Sequence, residues 1–123
     1  MMTKRKPTLL ATDIHPSQAT LSLRVDADIL DFSGHFPNFA LLPGVTQIDW
    51  AIFYANQYLA TPTQFKGMEV IKFQEPILPD MTVALVLNWD ADKQKLAFQY
   101  RSERDGNPVV HASGKMKLGE RSD

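Results

Sequence analysis

Residues 44–60, GVTQIDWAIFYANQYLA, constrain this chain more than any other stretch. Pro43 stands at or just before the first turn of a helix, where its missing N–H is harmless, and Thr61-Pro62 ends it. The spacing predicts a helix from near Gly44 to about Leu59 or Ala60. Val45, Ile48, Trp50, Ala51, Ile52, Phe53, Tyr54, Ala55, Tyr58 and Leu59 occupy nearly every face of it. A helix of that kind must be buried almost all round, as it is when a curved sheet wraps it.

The flanking sequence supplies strands. Thr8–Ile14 is followed by Ala19–Asp26, in which Leu21, Leu23 and Val25 alternate with Thr20, Ser22 and Arg24, the period of a half-buried strand. After the helix come Lys66–Gln74, Met81–Asp90, Lys95–Ser102 and Val109–Leu118. The last three are separated by Ala91-Asp92-Lys93-Gln94 and Asp105-Gly106-Asn107-Pro108, short segments that accept turn geometry and predict an antiparallel meander. One helix with five or six antiparallel strands is an α+β domain. One small sheet hardly covers both sides of the helix, so dimerisation is expected.

No repeat, low-complexity tract or linker divides the chain, and residues 1–123 are read as one domain. Cysteine is absent, which removes disulfides, thiolate nucleophiles and thiolate zinc sites and leaves His, carboxylate, hydroxyl and Lys chemistry. Thirteen basic against 14 acidic residues give no global attraction for nucleic acid. No apolar run approaches the ~18 residues of a membrane span, and the basic start has no signal-peptide core, so a cytoplasmic location is expected. Thr3-Lys4-Arg5-Lys6 is expected to form a flexible tail. His15 and His111 have no acidic partner at a meaningful spacing and are assigned to surface or strand structure. With His35 they form no metal motif.

The stretch from Asp31 to Gly44, DFSGHFPNFALLPG, shows neither helical nor strand period and leads into the helix start. Pro37 and Pro43 stiffen it, while Gly34 and Gly44 allow close backbone approach by another group. His35 lies within it. Asp49 stands among Val45, Ile48, Ile52 and Phe53 on the helix, where a carboxylate needs a partner or a proton and is suited to act as an acid. Taken singly, His35 also fits a structural role and Asp49 a hydrogen-bonding anchor.

Together, His35-Phe36-Pro37, Pro43-Gly44-Val45 and Asp49 resemble the signature of the hot-dog fold beta-hydroxyacyl-acyl-carrier-protein dehydratases. That signature is H-F-P-x-x-P-x-x-P-G-V with Glu or Asp fourteen residues after the His, the interval found here. Lys72-Phe73-Gln74-Glu75-Pro76-Ile77-Leu78-Pro79 matches a further family element, and the resemblance covers most of residues 19–118. The form H-F-P-x-F-x-L-L-P-G-V-x-Q-I-D-W-A is most similar to the dehydratases of aryl-polyene pigment pathways. Three departures stand out: Ala40 replaces the middle proline, Phe53 replaces a common Gln, and the acid is Asp, as in dehydratases that also isomerise.

The resemblance implies a hot-dog fold, an antiparallel sheet wrapped around one long central helix. It also implies dehydration of 3-hydroxyacyl thioesters on acyl carrier protein to trans-2-enoyl thioesters, without metal or cofactor. His35 would take the alpha proton, since an unperturbed imidazole is largely unprotonated at cytoplasmic pH. Asp49 would protonate the leaving hydroxyl. The Gly44 N–H at the positive helix end, with Val45 beside it, would face the thioester oxygen. Phe32, Phe36, Phe39, Trp50, Ile52 and Phe53 are candidates for an acyl tunnel, with core packing as the alternative. In the family the two catalytic residues facing one substrate come from different protomers, so a homodimer, or a heterodimer with a related dehydratase subunit, is expected. Neither nucleic acid nor membrane is an expected partner. Lys66, Lys72, Lys115 and Lys117 are candidates for carrier-protein docking, with none assigned. The alternatives are a hot-dog acyl-CoA thioesterase or hydratase, and a non-catalytic subunit of a heteromeric complex.

Overall fold

Apolar residues at every second position build most of the structure, a computed structural model describing residues 4–29, 32 and 41–120. The elements in order are β1 (Thr8–His15), β2 (Gln18–Arg24), α1 (Gly44–Leu59), β3 (Gln64–Phe73), β4 (Thr82–Asp90), β5 (Lys95–Arg104) and β6 (Asn107–Gly119). All six strands form one antiparallel sheet of order β1-β2-β4-β5-β6-β3. The expected meander is β4-β5-β6. Its second hairpin turns on Asp105 and Gly106, both at positive φ (54° and 79°), the mirror-image turn whose twist suits adjacent strands and that Asp-Gly adopts readily.

Register places Ala19, Leu21 and Leu23 of β2 opposite Leu87, Leu85 and Val83 of β4, and Leu85 and Leu87 in turn opposite Tyr100 and Phe98 of β5. All are buried on one face of the sheet. Helix α1 lies on that face and contributes Trp50, Ala51, Tyr54, Ala55 and Leu59 to the same core. Two polar contacts lock the helix in place. The buried Tyr100 hydroxyl donates to the Gln47 main-chain carbonyl at 2.6 Å, and the Trp50 indole N–H donates to the Arg5 carbonyl at 2.9 Å. Burial holds the Tyr100 phenol well above its usual pKa, with smaller contributions from Tyr54 and Asp49.

As expected of one small sheet, only one side of the helix is covered within the chain, and Val45, Asp49, Phe53, Asn56 and Gln57 are exposed on the other. One expectation is corrected. The N-terminal basic cluster, from Lys4 onwards, is not a loose tail. Lys4 pairs with Asp26 at 2.9 Å, Arg5 accepts the Trp50 bond, and the Lys6 ammonium lies 4.6 Å from the centre of the Phe53 ring.

Asp26 anchors that segment. It receives hydrogen bonds from Thr8 Oγ1 and from Arg24 Nε at 2.8 Å, besides the Lys4 pair. Burial alone would raise its pKa, but the Thr8, Lys4 and Arg24 contacts outweigh this and hold the carboxyl well below the usual carboxylate range. A depressed carboxylate pKa favours the folded state above the unfolded-state value of about 4, and that contribution is lost as pH falls further. Asp26→Asn should therefore lower stability at pH 7 by roughly 1–2 kcal/mol and flatten the loss of stability below pH 4. Urea denaturation of both proteins from pH 7 to pH 3 measures this, and parallel pH profiles would contradict it.

Candidate active site

Helix α1 begins without a side-chain cap. Pro43 precedes it in extended conformation (φ −60°, ψ 147°), and no acidic residue sits in the first turn. The first main-chain bond runs from the Gln47 N–H to the Pro43 carbonyl at 3.2 Å. The N–H groups of Gly44 and Val45 thus have no acceptor within the helix, and they stand at its positive end. Such a terminus can stabilise negative charge developing on an oxygen.

The approach to this terminus is tied to the strand-like segment after β3. Leu42 N–H donates to the Ile77 carbonyl at 2.8 Å, and the Gln47 carboxamide nitrogen donates to the Leu42 carbonyl at 3.1 Å. Between the two segments lies a cleft of about 320 Å³, lined by Leu41, Leu42, Gly44 and Gln47 on one side and Phe73, Gln74, Glu75 and Pro76 on the other. Gln47 Oε1 is buried with no hydrogen-bond partner. The group that closely approaches Gly44 is the Phe73 ring, whose tip would lie 2.6 Å from a Cβ placed there. A side chain at position 44 and the Phe73 ring cannot share that space.

The remaining sequence-derived site residues are distributed as follows. His35, Phe36 and Phe39 lie outside the described residues. Asp49 is exposed at the middle of the stripe Val45–Asp49–Phe53, so a single chain does not supply the burial expected around its carboxylate. Five residues from Gly44, it lies roughly 140° round the helix and about 7.5 Å along it. Within one chain it faces a different side from the Gly44 cleft. Val45 is exposed beside Gly44. Phe32 and Ile52 pack half-buried against the core, and Phe53 lies exposed, edge-on to Tyr54 at 5.0 Å. Trp50 is sealed in the core at 1% exposure, which makes it a packing residue and not a tunnel wall. Lys66, Lys72, Lys115 and Lys117 are all exposed on the neighbouring strands β3 and β6.

Sequence reasoning missed the wall formed by Phe73–Pro76 and the buried amide of Gln47. The motif Lys72–Pro79 was visible, but its juxtaposition with Gly44 depends on β3 pairing with β6 and on the turn that follows. Nothing in a linear pattern encodes that placement.

A sheet curved over one long helix, with a bare helix start facing a cleft, is the hot-dog fold, and solved structures share it closely. The sequence pattern of the ApeI-like family, described as ApeI dehydratase, matches residues 11–115, and the chain belongs to that family. An uncharacterized protein from Erwinia carotovora subsp. atroseptica is 41% identical with a TM-score of 0.83, the match covering 93% of this chain and 96% of that one. The dehydratase heterocomplex ApeI:P from Xenorhabdus doucetiae is 38% identical with a TM-score of 0.81, covering 91% and 96%. The dehydratase domain of the polyketide PpsC from Mycobacterium tuberculosis shares the fold at 18% identity and a TM-score of 0.68, over 97% of this chain and 46% of that one. The protein is thus a dehydratase by family.

Gly44→Ala tests the tight packing at the helix start. Phe73 is 52% exposed, so its ring can swing outward, and the cost to stability should stay at about 1 kcal/mol, the low end for overpacking. Thermal unfolding measures it. A loss of several kcal/mol would mean that the ring is held rigidly on the glycine.

Proposed function

We propose that this chain removes water from 3-hydroxyacyl thioesters carried on acyl carrier protein, giving trans-2-enoyl thioesters in the elongation of fatty-acid or aryl-polyene-type chains. The observation that carries the proposal is the uncapped helix start at Gly44, open to a cleft on the same helix that bears Asp49. Elimination needs three things: a base for the alpha proton, an acid for the beta hydroxyl, and a positive site for the thioester oxygen as enolate charge builds on it. The Gly44 N–H suits the third. His35 takes the alpha proton, the electron pair forms the new C=C bond, and the hydroxyl leaves as water with a proton from Asp49.

The working site is shared between two chains. Val45 and Phe53 flank Asp49 on an exposed helix stripe, and Phe65 and Phe73 are exposed on edge strand β3, opposite the buried Leu118 and Ala112. A second chain laid over these residues would shield Asp49 from bulk water and enclose it with the substrate. The likeness to the ApeI:P heterocomplex favours a related dehydratase subunit as partner, with a second copy of this chain as the other option.

Incubation with 3-hydroxyacyl carrier protein, alone and with a partner dehydratase subunit, should show loss of one water by mass. His35→Ala and Asp49→Asn should each lower the rate by about 10²–10⁴-fold. Full activity in His35→Ala would remove it as the base, and thioester cleavage without dehydration would point to a thioesterase. A stable monomer at micromolar concentration, with or without the partner subunit, would contradict the shared site.

A further inference from the structure

The dehydratase site proposed above does not use His111, which is 1% exposed in the middle of β6. Its contacts are specific. Nδ1 lies 3.2 Å from the Pro76 carbonyl and 3.3 Å from the Glu75 carbonyl, while Nε2 lies 2.7 Å from Ser102 Oγ. Carbonyl oxygens only accept, so Nδ1 carries a proton, and in the neutral ring Nε2 accepts from the Ser102 hydroxyl. The main chain of the same residue completes a clamp, because the His111 carbonyl accepts from the N–H groups of Gln74 and Glu75 at 2.9 and 3.2 Å.

This clamp holds the segment that forms one wall of the cleft. Phe73 ends β3 and puts its ring on Gly44, Gln74 to Pro76 line the cleft, and the Ile77 carbonyl receives the Leu42 N–H just before the helix. Hydrogen bonds, the chain from Pro76 back to Phe73, and ring packing therefore join His111 to Gly44 at the helix start. Proline at position 76 has no N–H of its own, so its carbonyl is the available handle at that residue.

We infer that His111 is a positioning residue for the dehydratase site: its Nδ1–H holds Glu75–Pro76, and through them the Phe73 wall, in register with the helix start at Gly44. The inference rests on the dehydratase reading for its kinetic consequence and on geometry alone for its structural one. Small displacements of groups around a reacting centre cost large factors in rate, up to about 10²-fold for 1 Å.

Two substitutions separate the two ring nitrogens. His111→Asn keeps a donor near the Nδ1 position and loses the Ser102 contact; His111→Gln keeps a group near Nε2 and loses the bond to Pro76. His111→Gln should lower kcat about tenfold with KM changed less than about twofold, whereas His111→Asn should retain kcat within about twofold. A general structural role would affect both alike. Phe73→Ala, at an exposed ring, should reproduce the loss in kcat, and the double variant His111→Gln/Phe73→Ala should lose no more than either alone. Equal kcat in the two His111 variants, or additive losses in the double variant, would overturn the inference.

An amide NMR spectrum provides a readout independent of turnover. The Gly44 N–H, beside the Phe73 ring, should shift in His111→Gln and stay near its wild-type position in His111→Asn. An unmoved Gly44 resonance in folded His111→Gln would overturn the clamp. If wild-type protein fails to dehydrate while the Gly44 shift behaves as expected, the functional reading fails and the clamp stands. Should His111→Gln not fold, Phe73→Ala decides, and unchanged kcat in it would reject the wall's role.

Discussion

The bond from the buried Tyr100 hydroxyl to the Gln47 carbonyl sets the position of everything that matters for chemistry here. It joins the centre of β5 to the first turns of α1, deep in a core that excludes competing water. Its net contribution to stability is about 1 kcal/mol, yet leaving either group unpaired there would cost roughly 1–3 kcal/mol. The larger effect is on register. With Gln47 pinned, its side chain reaches Leu42, Leu42 reaches Ile77, and the helix start stands at a defined place beside the chain leaving β3.

That arrangement explains why the helix start is left bare. A capping side chain or an acidic first turn would satisfy the orphan N–H groups and stabilise the helix by about 1 kcal/mol. Instead the chain uses Pro43 and Gly44, neither of which offers a side-chain cap, and fixes the helix by burial and by the Tyr100 and Trp50 contacts. Local stability is forgone at the terminus and recovered through tertiary packing. The same division appears on the helix surface, where one side is packed on the sheet and the stripe around Asp49 carries Val45 and Phe53 into the open. Exposed apolar residues around a carboxylate suit a surface that another chain covers.

Much of the fold was legible from residue order. Alternation located β2, β4 and β5 to within a few residues, because each buries an apolar face, whereas the edge strands β1 and β3 carry no buried residue and were marked by their apolar and β-branched content. Asp105-Gly106 announced its turn, since its residues tolerate positive φ. Pro43 marked the helix start, and the helix ends at Ala60 in the left-handed region, next to the expected stop. The apolar faces of the helix were legible as well, although periodicity reports what must be covered, not what covers it. The supposed flexible tail was misread for a related reason: Asp26 and Trp50, which hold it, are distant in sequence.

The sequence by itself determined the strand and helix pattern, the absence of thiol chemistry, and a signature from His35 to Asp49 specific enough to indicate a dehydratase family. These are local properties, written in spacing and residue type. Only the tertiary structure decided that Phe73 packs on Gly44, that Glu75 and Pro76 hang on His111, and that Asp49 faces outward from the single chain. The first two follow from β3 crossing to pair with β6 at the far edge of the sheet, and the third from which side of the helix packs on that sheet. A non-local pairing of that kind is set by the shared core of the whole sheet, and no short stretch of the chain contains it.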